Sequence, residues 1–252
     1  MNSFNSSIIG KFMPIWISSQ EDLSKVIRWA DRLNDGIGKR MIRQTTLKHQ
    51  HSFALFCSAS IICLQPHIEM AFRKKLDANL LKDAVEMHDL GEGLTLKGDI
   101  PAPCKTDLDD LNEYLAVEKL YSDMPKIVWN ELGYAFLLQF AIKNPSCFPE
   151  RARILMEKIK KDHYYEALTF QALEKFEYLF YPKWMLKRHP YLLVWVMRGN
   201  LKKYREFAEK LPGFRQEIFT PSLEDWMLNF LEENKNVPED PILLQKVRKE
   251  VA

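Results

Sequence analysis

Glycine is scarce in this chain, at 9 of 252 residues. No Asn-Gly or Asp-Gly pair joins two runs of alternating apolar and polar residues, so the usual signal of a β-hairpin is missing. Leu, Ala, Glu, Lys and Met recur instead at helical spacing. The sequence therefore predicts an all-α protein.

An excess of charge of one sign is also missing. The chain has 36 Lys and Arg against 34 Asp and Glu, for a net charge of +2. Proteins that bind nucleic acid through its phosphates need a clear excess of Lys and Arg over Asp and Glu. We therefore expect no nucleic acid among the partners.

Long apolar runs and a leader sequence are not evident. No uninterrupted apolar run reaches the roughly 20 residues of a membrane helix, and Lys11 and Pro14 interrupt the apolar stretch near the N-terminus, unlike a signal peptide. We expect no membrane association and a cytoplasmic location.

Cysteines are few and are not paired in sequence. The four, at positions 57, 63, 104 and 147, form no Cys-x-x-Cys pair, and no matching pair of histidines suggests a zinc knuckle. We expect reduced and mostly buried thiols.

Apolar periodicity predicts a series of helices along the chain. The uncharged stretch 52–64 is apolar all round, which is typical of a helix in the centre of a bundle. Pro101 and Pro103 exclude a helix at 98–103, and His67 after Pro66 is expected in a loop. The predicted helices cover residues 21–33, 52–64, a segment ending near Gly91, 109–121, 127–143, 149–159, 164–181, 190–209 and 223–233.

Ionisable residues cluster at two of these helices. Leu81, Ala84, Val85 and His88 follow i, i+3, i+4, i+7, so His88 points to the apolar side. Asp89 adjoins it, Glu92 lies four residues on, and His51 stands at the start of the uncharged helix. A lone buried histidine is usually a satisfied core residue, but several buried ionisable groups together are costly unless they are paired or bind a metal.

The order of these motifs resembles the HD superfamily of metal-dependent phosphohydrolases. The resemblance comprises His51-Ser52, then His88-Asp89-x-x-Glu92, then Gly98-Asp99-Ile100-Pro101-x-Pro103-x-Lys105. The proline-containing motif is similar to the branch of nucleoside 5'-monophosphate phosphatases, the 5'-deoxynucleotidases. The resemblance covers about residues 36–182.

The resemblance implies a set of site residues. His51, His88 and Asp89 would be metal ligands, Glu92 would position the attacking water, and Asp99 would take part in proton transfer to the leaving oxygen. An arginine upstream of the first histidine would hold the phosphate, and both Arg40 and Arg43 qualify. His49, beside His51, is expected to be exposed.

The fourth metal ligand is the point where the chain departs from the family. The family has an aspartate in a segment like Ala-Asp-Lys-Leu-Glu-x-Leu, whereas this chain has Leu173-Glu174-Lys175-Phe176-Glu177. Glu174 is therefore the candidate ligand, but it falls nearly opposite the strongest apolar stripe of its helix and is compatible with a surface position. Asp162 is the alternative.

Together these observations predict an HD-type helical bundle over residues 1–182 and a C-terminal helical extension over residues 183–252, packed on the same domain. The predicted activity is release of phosphate from a nucleoside 5'-monophosphate or similar small ester, with a divalent ion (Mn, Co, Fe, Ni, Zn or Mg) as cofactor and a homodimer as a reasonable assembly. The altered fourth ligand leaves an alternative, an HD-fold protein that binds a nucleotide or a partner protein without turnover.

Overall fold

The computed structural model describes residues 46–95, 105–122, 124–187 and 189–240. Within these ranges all regular structure is helical and no strand occurs, so the prediction of an all-α protein is confirmed there. The predicted helix at 21–33 lies outside the described residues.

The described helices follow one another along the chain. In chain order they are α1 (Thr46–Phe72), α2 (Ala78–Met87), α3 (Leu90–Leu94), α4 (Asp107–Leu120), α5 (Lys126–Leu137) with a 3-10 turn (Leu138–Phe140), α6 (Glu150–Asp162), α7 (Tyr164–Glu177), α8 (Phe180–Met185), α9 (Pro190–Lys210), a π-helical turn (Phe214–Ile218) and α10 (Pro221–Glu233).

The first described helix is much longer than the sequence predicts. α1 runs for 27 residues and passes through Pro66, although an interior proline removes a backbone hydrogen bond. The loop expected at His67 is therefore wrong. The buried side chains Leu64 and Ile68 lie on either side of the proline, so continued burial of one face holds the helix together across it. His67 is also held from outside, by a 2.9 Å contact between its Nε2 and Glu217 Oε1.

Helix α7 lies at the centre of the bundle. None of its residues is exposed, and it contacts α1, α2, α6 and α9. Its Glu166 accepts a hydrogen bond from the backbone nitrogen of Asp77 at 2.9 Å, while the Asp77 side chain caps the start of α2. The central helix therefore sets the position of α2, which leads into the predicted site.

One hydrophobic core connects almost all of these elements. Each large apolar side chain removed from water stabilises the fold by roughly 1.5–3 kcal/mol before entropy is counted. The core extends from α1 through α7 into α9 and α10. Its fully buried members include Phe53, Leu64, Leu81, Val85, Phe136, Phe170, Met197, Tyr204, Phe214, Phe219 and Met227.

Candidate metal centre

His88 lies at the end of α2, pointing inward as its periodicity predicts. Its side chain is buried, and Nδ1 is 2.7 Å from the carbonyl oxygen of Val85. The backbone is held as well, because Gln139 donates to the His88 carbonyl at 3.1 Å. Both the ring and its backbone are thus fixed by groups outside the candidate site.

Asp89 occupies the turn where α2 ends and the short helix α3 begins. Its Oδ1 lies 3.1 Å from Nε2 of His88, and its side chain is buried. The expected adjacency of His88 and Asp89 at a helix end is therefore seen, with the helix ending at Met87 rather than near Gly91.

The second histidine of the cluster is His49. It is only 1% exposed, and its Nδ1 lies 2.8 Å from Glu177 Oε2. Its Nε2 lies 3.7 Å from Asp89 Oδ2, and its ring centroid is 5.7 Å from that of His88. The expectation that His49 is exposed is wrong.

His51, the ligand implied by the resemblance, is exposed and lies apart from this group. Two residues on a helix are about 200° apart around its axis, so His49 and His51 cannot face the same side of α1. The inward side is occupied by His49 because it continues the buried face of Phe53 and Cys57.

Each of the two buried histidines is held through Nδ1 and presents Nε2 to the cluster. A carbonyl and a carboxylate only accept hydrogen bonds, so Nδ1 carries the proton in both neutral rings. In the neutral rings Nε2 can only accept, and neither Nε2 has a hydrogen-bond donor, although a buried nitrogen without a partner is destabilising. One ligand atom from each of His49, His88 and Asp89 lies within 4.8 Å of the others.

This donor set fits a divalent transition-metal ion. Two neutral imidazole nitrogens and one carboxylate oxygen suit Mn, Fe, Co, Ni or Zn. Metal-binding histidines usually donate their other N–H to a carboxylate or a carbonyl, as His49 does to Glu177 and His88 to Val85. A buried group that could hold a metal ion is therefore present. Its residues do not show which ion it prefers.

In the absence of a cation, the charges around His88 favour protonation of its free ring nitrogen, Nε2. Burial lowers the pKa of His88, but the charge of Asp89, the hydrogen bond that the protonated ring donates to Asp89, the charge of Glu174 and the hydrogen bond to Val85 raise it above its ordinary value. A metal would have to displace this proton, so binding of metal and release of a proton are coupled.

Glu174 lies near the cluster but outside its three members. Its side chain is 18% exposed, and Oε1 accepts a hydrogen bond from the Tyr178 hydroxyl at 2.9 Å. Burial alone would raise the pKa of Glu174, but the neighbouring charges of Lys175 and His88 lower it below its ordinary value. Glu174 therefore interacts with the charge of His88 and is only partly exposed.

Asp162, the alternative fourth ligand, is exposed at the end of α6. It lines a surface hollow of about 690 Å³ between α5 and α6 together with Tyr134 and His163. It does not belong to the cluster of His49, His88 and Asp89.

Glu92 is buried one turn beyond Asp89, on α3. The hydroxyl of Thr46, at the start of α1, donates to its Oε2 at 3.3 Å. Because α2 ends before it, Glu92 reaches this region from a separate helix and not as the next turn above His88.

An ion-pair network packs against α3. Lys105 Nζ lies 2.8 Å from Glu113 Oε2 and 3.5 Å from Asp110 Oδ1. Burial raises the pKa of Glu113 to about 7 although Lys105 opposes the shift. Lys105 also interacts electrostatically with Glu92, which links the end of the proline-containing motif to the region of the cluster.

The remaining predicted site residues, Arg40, Arg43 and Asp99, lie outside the described residues. Two residues that the sequence analysis did not assign, His49 and Glu177, are in the cluster or bound to it. Glu177 had a detectable signal, because Phe170, Glu174 and Glu177 follow i, i+4, i+7 and so share a helix face. Phe170 on that face lies 5.5 Å from the His88 ring, centroid to centroid.

Comparisons of the chain with protein-family models, with curated proteins and with solved structures find no match.

Proposed function

We propose that the protein is a metal-dependent phosphohydrolase of the HD type that releases phosphate from a nucleoside 5'-monophosphate or a similar small ester. The observation that supports this most is the buried group of His49, His88 and Asp89, in which neither Nε2 of the neutral rings has a hydrogen-bond donor. A divalent ion held there would polarise a phosphoryl oxygen and make water more acidic.

Residues of the chain would bind the ion, fix the tautomers of its ligands and activate the attacking water. His49, His88 and Asp89 would hold the ion, and Glu177 and Val85 would keep the two imidazoles in the tautomer with Nε2 available. Glu92 would orient or deprotonate the attacking water, as a nearby carboxylate can. Lys105 would balance the negative charge of Glu92 and Glu113.

Phosphate release tests this proposal directly. The purified protein is stripped with a chelator, reloaded separately with Mn, Co, Ni, Zn or Mg, and incubated with a panel of nucleoside 5'-monophosphates. We expect release with at least one ion, and loss of release in Asp89→Asn. A protein that binds metal but releases no phosphate from any substrate would contradict the proposal.

A second function is favoured by the position of Glu174. Only three residues make up the cluster among the described ones, while Glu174 is engaged by Tyr178 and Lys175. A site with an altered ligand set could bind a nucleotide without hydrolysing it. A rise in Tm with a nucleoside monophosphate, combined with no phosphate release, would support this alternative.

A further inference from the structure

The outward face of α1 is an apolar stripe. Its members, spaced by three, four or one residues, lie on one side of the helix and are all exposed: Leu55, Ala59, Ile62, Cys63, Pro66 and Met70. Leu55, Ile62 and Met70 are 77%, 76% and 78% exposed. None of the six carries a charge.

This stripe overturns the expectation that the uncharged stretch is surrounded by other helices. By length and composition α1 could cross a membrane, and only 33% of its most apolar 18-residue window is buried. An exposed apolar stripe of this length is unusual for a surface that faces water and marks a site of association. The face therefore needs a partner.

We propose that residues 21–33 of the same chain cover this stripe as an antiparallel amphipathic helix. The apolar periodicity of this segment predicts a helix, because Leu23, Val26, Ile27, Ala30 and Leu33 follow i, i+3, i+4, i+7, i+10, and such a helix would have one apolar face. In the sequence, only residues 34–45 separate this predicted apolar face from α1.

The dimensions of the two faces agree. Thirteen helical residues are ~20 Å long, and the 15 residue steps from Leu55 to Met70 rise ~22 Å. Residues 34–45 connect the segment to Thr46 and can span up to about 40 Å. This connection is long enough for the segment to fold back along α1.

Charge selects the antiparallel direction. The segment begins with Glu21 and Asp22, whereas α1 ends next to the exposed residues Arg73, Lys74 and Lys75. In the antiparallel arrangement the acidic start lies near the basic end. A parallel arrangement would place these charges at opposite ends of the stripe.

Hydrogen exchange of the full-length protein tests the docking. We expect backbone amides of residues 21–33 to exchange at least tenfold more slowly than in an unfolded peptide, and Ile62→Glu to remove this protection. Ile127→Glu is the matched control, because Ile127 is similarly exposed, at 67%, but lies on α5. Unprotected amides in the wild type, or protection that survives Ile62→Glu, would overturn the proposal.

Disulfide trapping distinguishes docking of residues 21–33 from covering of the stripe by a second copy of the chain or by a membrane. Ile27→Cys is made in a full-length Cys104→Ser, Cys147→Ser background, where Cys63 is the exposed thiol; Cys57 is buried and burial raises its pKa to about 12. Mild oxidation should give an intrachain disulfide to Cys63, and Lys25→Cys, on the opposite side of the predicted helix, should not. A disulfide between two copies, or flotation of the wild type with lipid vesicles, would overturn the proposal in favour of a second copy or a membrane.

Discussion

Glu177 Oε2 lies 2.8 Å from His49 Nδ1, and both side chains are almost fully buried. This contact fixes the orientation of an imidazole whose other nitrogen faces His88 and Asp89. A carboxylate behind a histidine also makes the histidine a more basic ligand. Glu177 therefore matters for metal affinity although it would not touch the ion.

Replacing Glu177 tests that role. We expect Glu177→Gln to weaken metal binding about 10–100-fold, the usual effect of removing such a partner, when affinity is measured by calorimetric titration. Glu166→Gln is the control, because Glu166 is also buried on α7 but binds the backbone of Asp77. Equal losses in the two variants would mean that Glu177 acts only through stability.

Gly91 allows α3 to approach α4 closely. A Cβ at this position would lie 2.4 Å from Cβ of Glu113, which is too short for any contact between carbons. We expect Gly91→Ala to destabilise the protein by roughly 1–3 kcal/mol, as overpacking does, and to weaken metal binding because α3 follows Asp89 directly. Urea unfolding and metal titration measure the two effects.

At Gly199 the same substitution to alanine is expected to stabilise the protein. It lies inside α9, and a Cβ there would meet nothing within 4 Å. Gly199→Ala should stabilise the protein by about 0.5–1 kcal/mol, since alanine is the better helix former. A loss of stability at Gly199 as large as that at Gly91 would contradict the packing argument.

Glu224 joins α10 to two preceding elements. It accepts from Arg205 of α9 and contacts Arg215 of the π-helical turn at 2.6 Å. The hydrogen bond from Arg205 is the first cause that lowers the pKa of Glu224 below 4.5, against the effect of desolvation. A carboxylate with a lowered folded-state pKa contributes stability above its unfolded pKa and loses it as the pH falls through the folded one.

The pH dependence of stability tests this ion pair. Glu224→Gln should lower the free energy of unfolding at pH 7 by about 1 kcal/mol or less, as expected for an ion pair at the protein surface. The difference from wild type should shrink as the pH falls below 4.5, the unfolded value. Glu232→Gln is the control, since the Glu232 side chain pairs with Lys235 and both are mostly exposed; a difference that does not depend on pH would exclude the ionic explanation.

The helices and the inward position of His88 could be predicted because both follow from apolar periodicity within one segment. Leu81, Ala84, Val85 and His88 share a face whatever the rest of the fold does. The orientation of α7 is harder to predict, because none of its residues is exposed. Its apolar stripe therefore does not show which side of the helix faces the cluster. Glu174 was therefore compatible with a surface position, although it lies near His88.

The choice between His49 and His51 could not be made from α1 alone. The stretch after them is apolar on both sides, so its sequence does not distinguish the buried face from the exposed one. The motif resemblance favoured His51. The structure places His49 inside because the partners that decide the matter, Glu177 and Asp89, belong to distant segments.

Metal content of three histidine variants is the most direct test of the proposed centre. His49→Gln, His51→Gln and His88→Gln are prepared alongside the wild type, loaded with the same ion and analysed by plasma mass spectrometry after removal of free metal. We predict that the wild type and His51→Gln retain the ion, and that His49→Gln and His88→Gln lose it. Retention by His49→Gln with loss in His51→Gln would contradict the proposed centre.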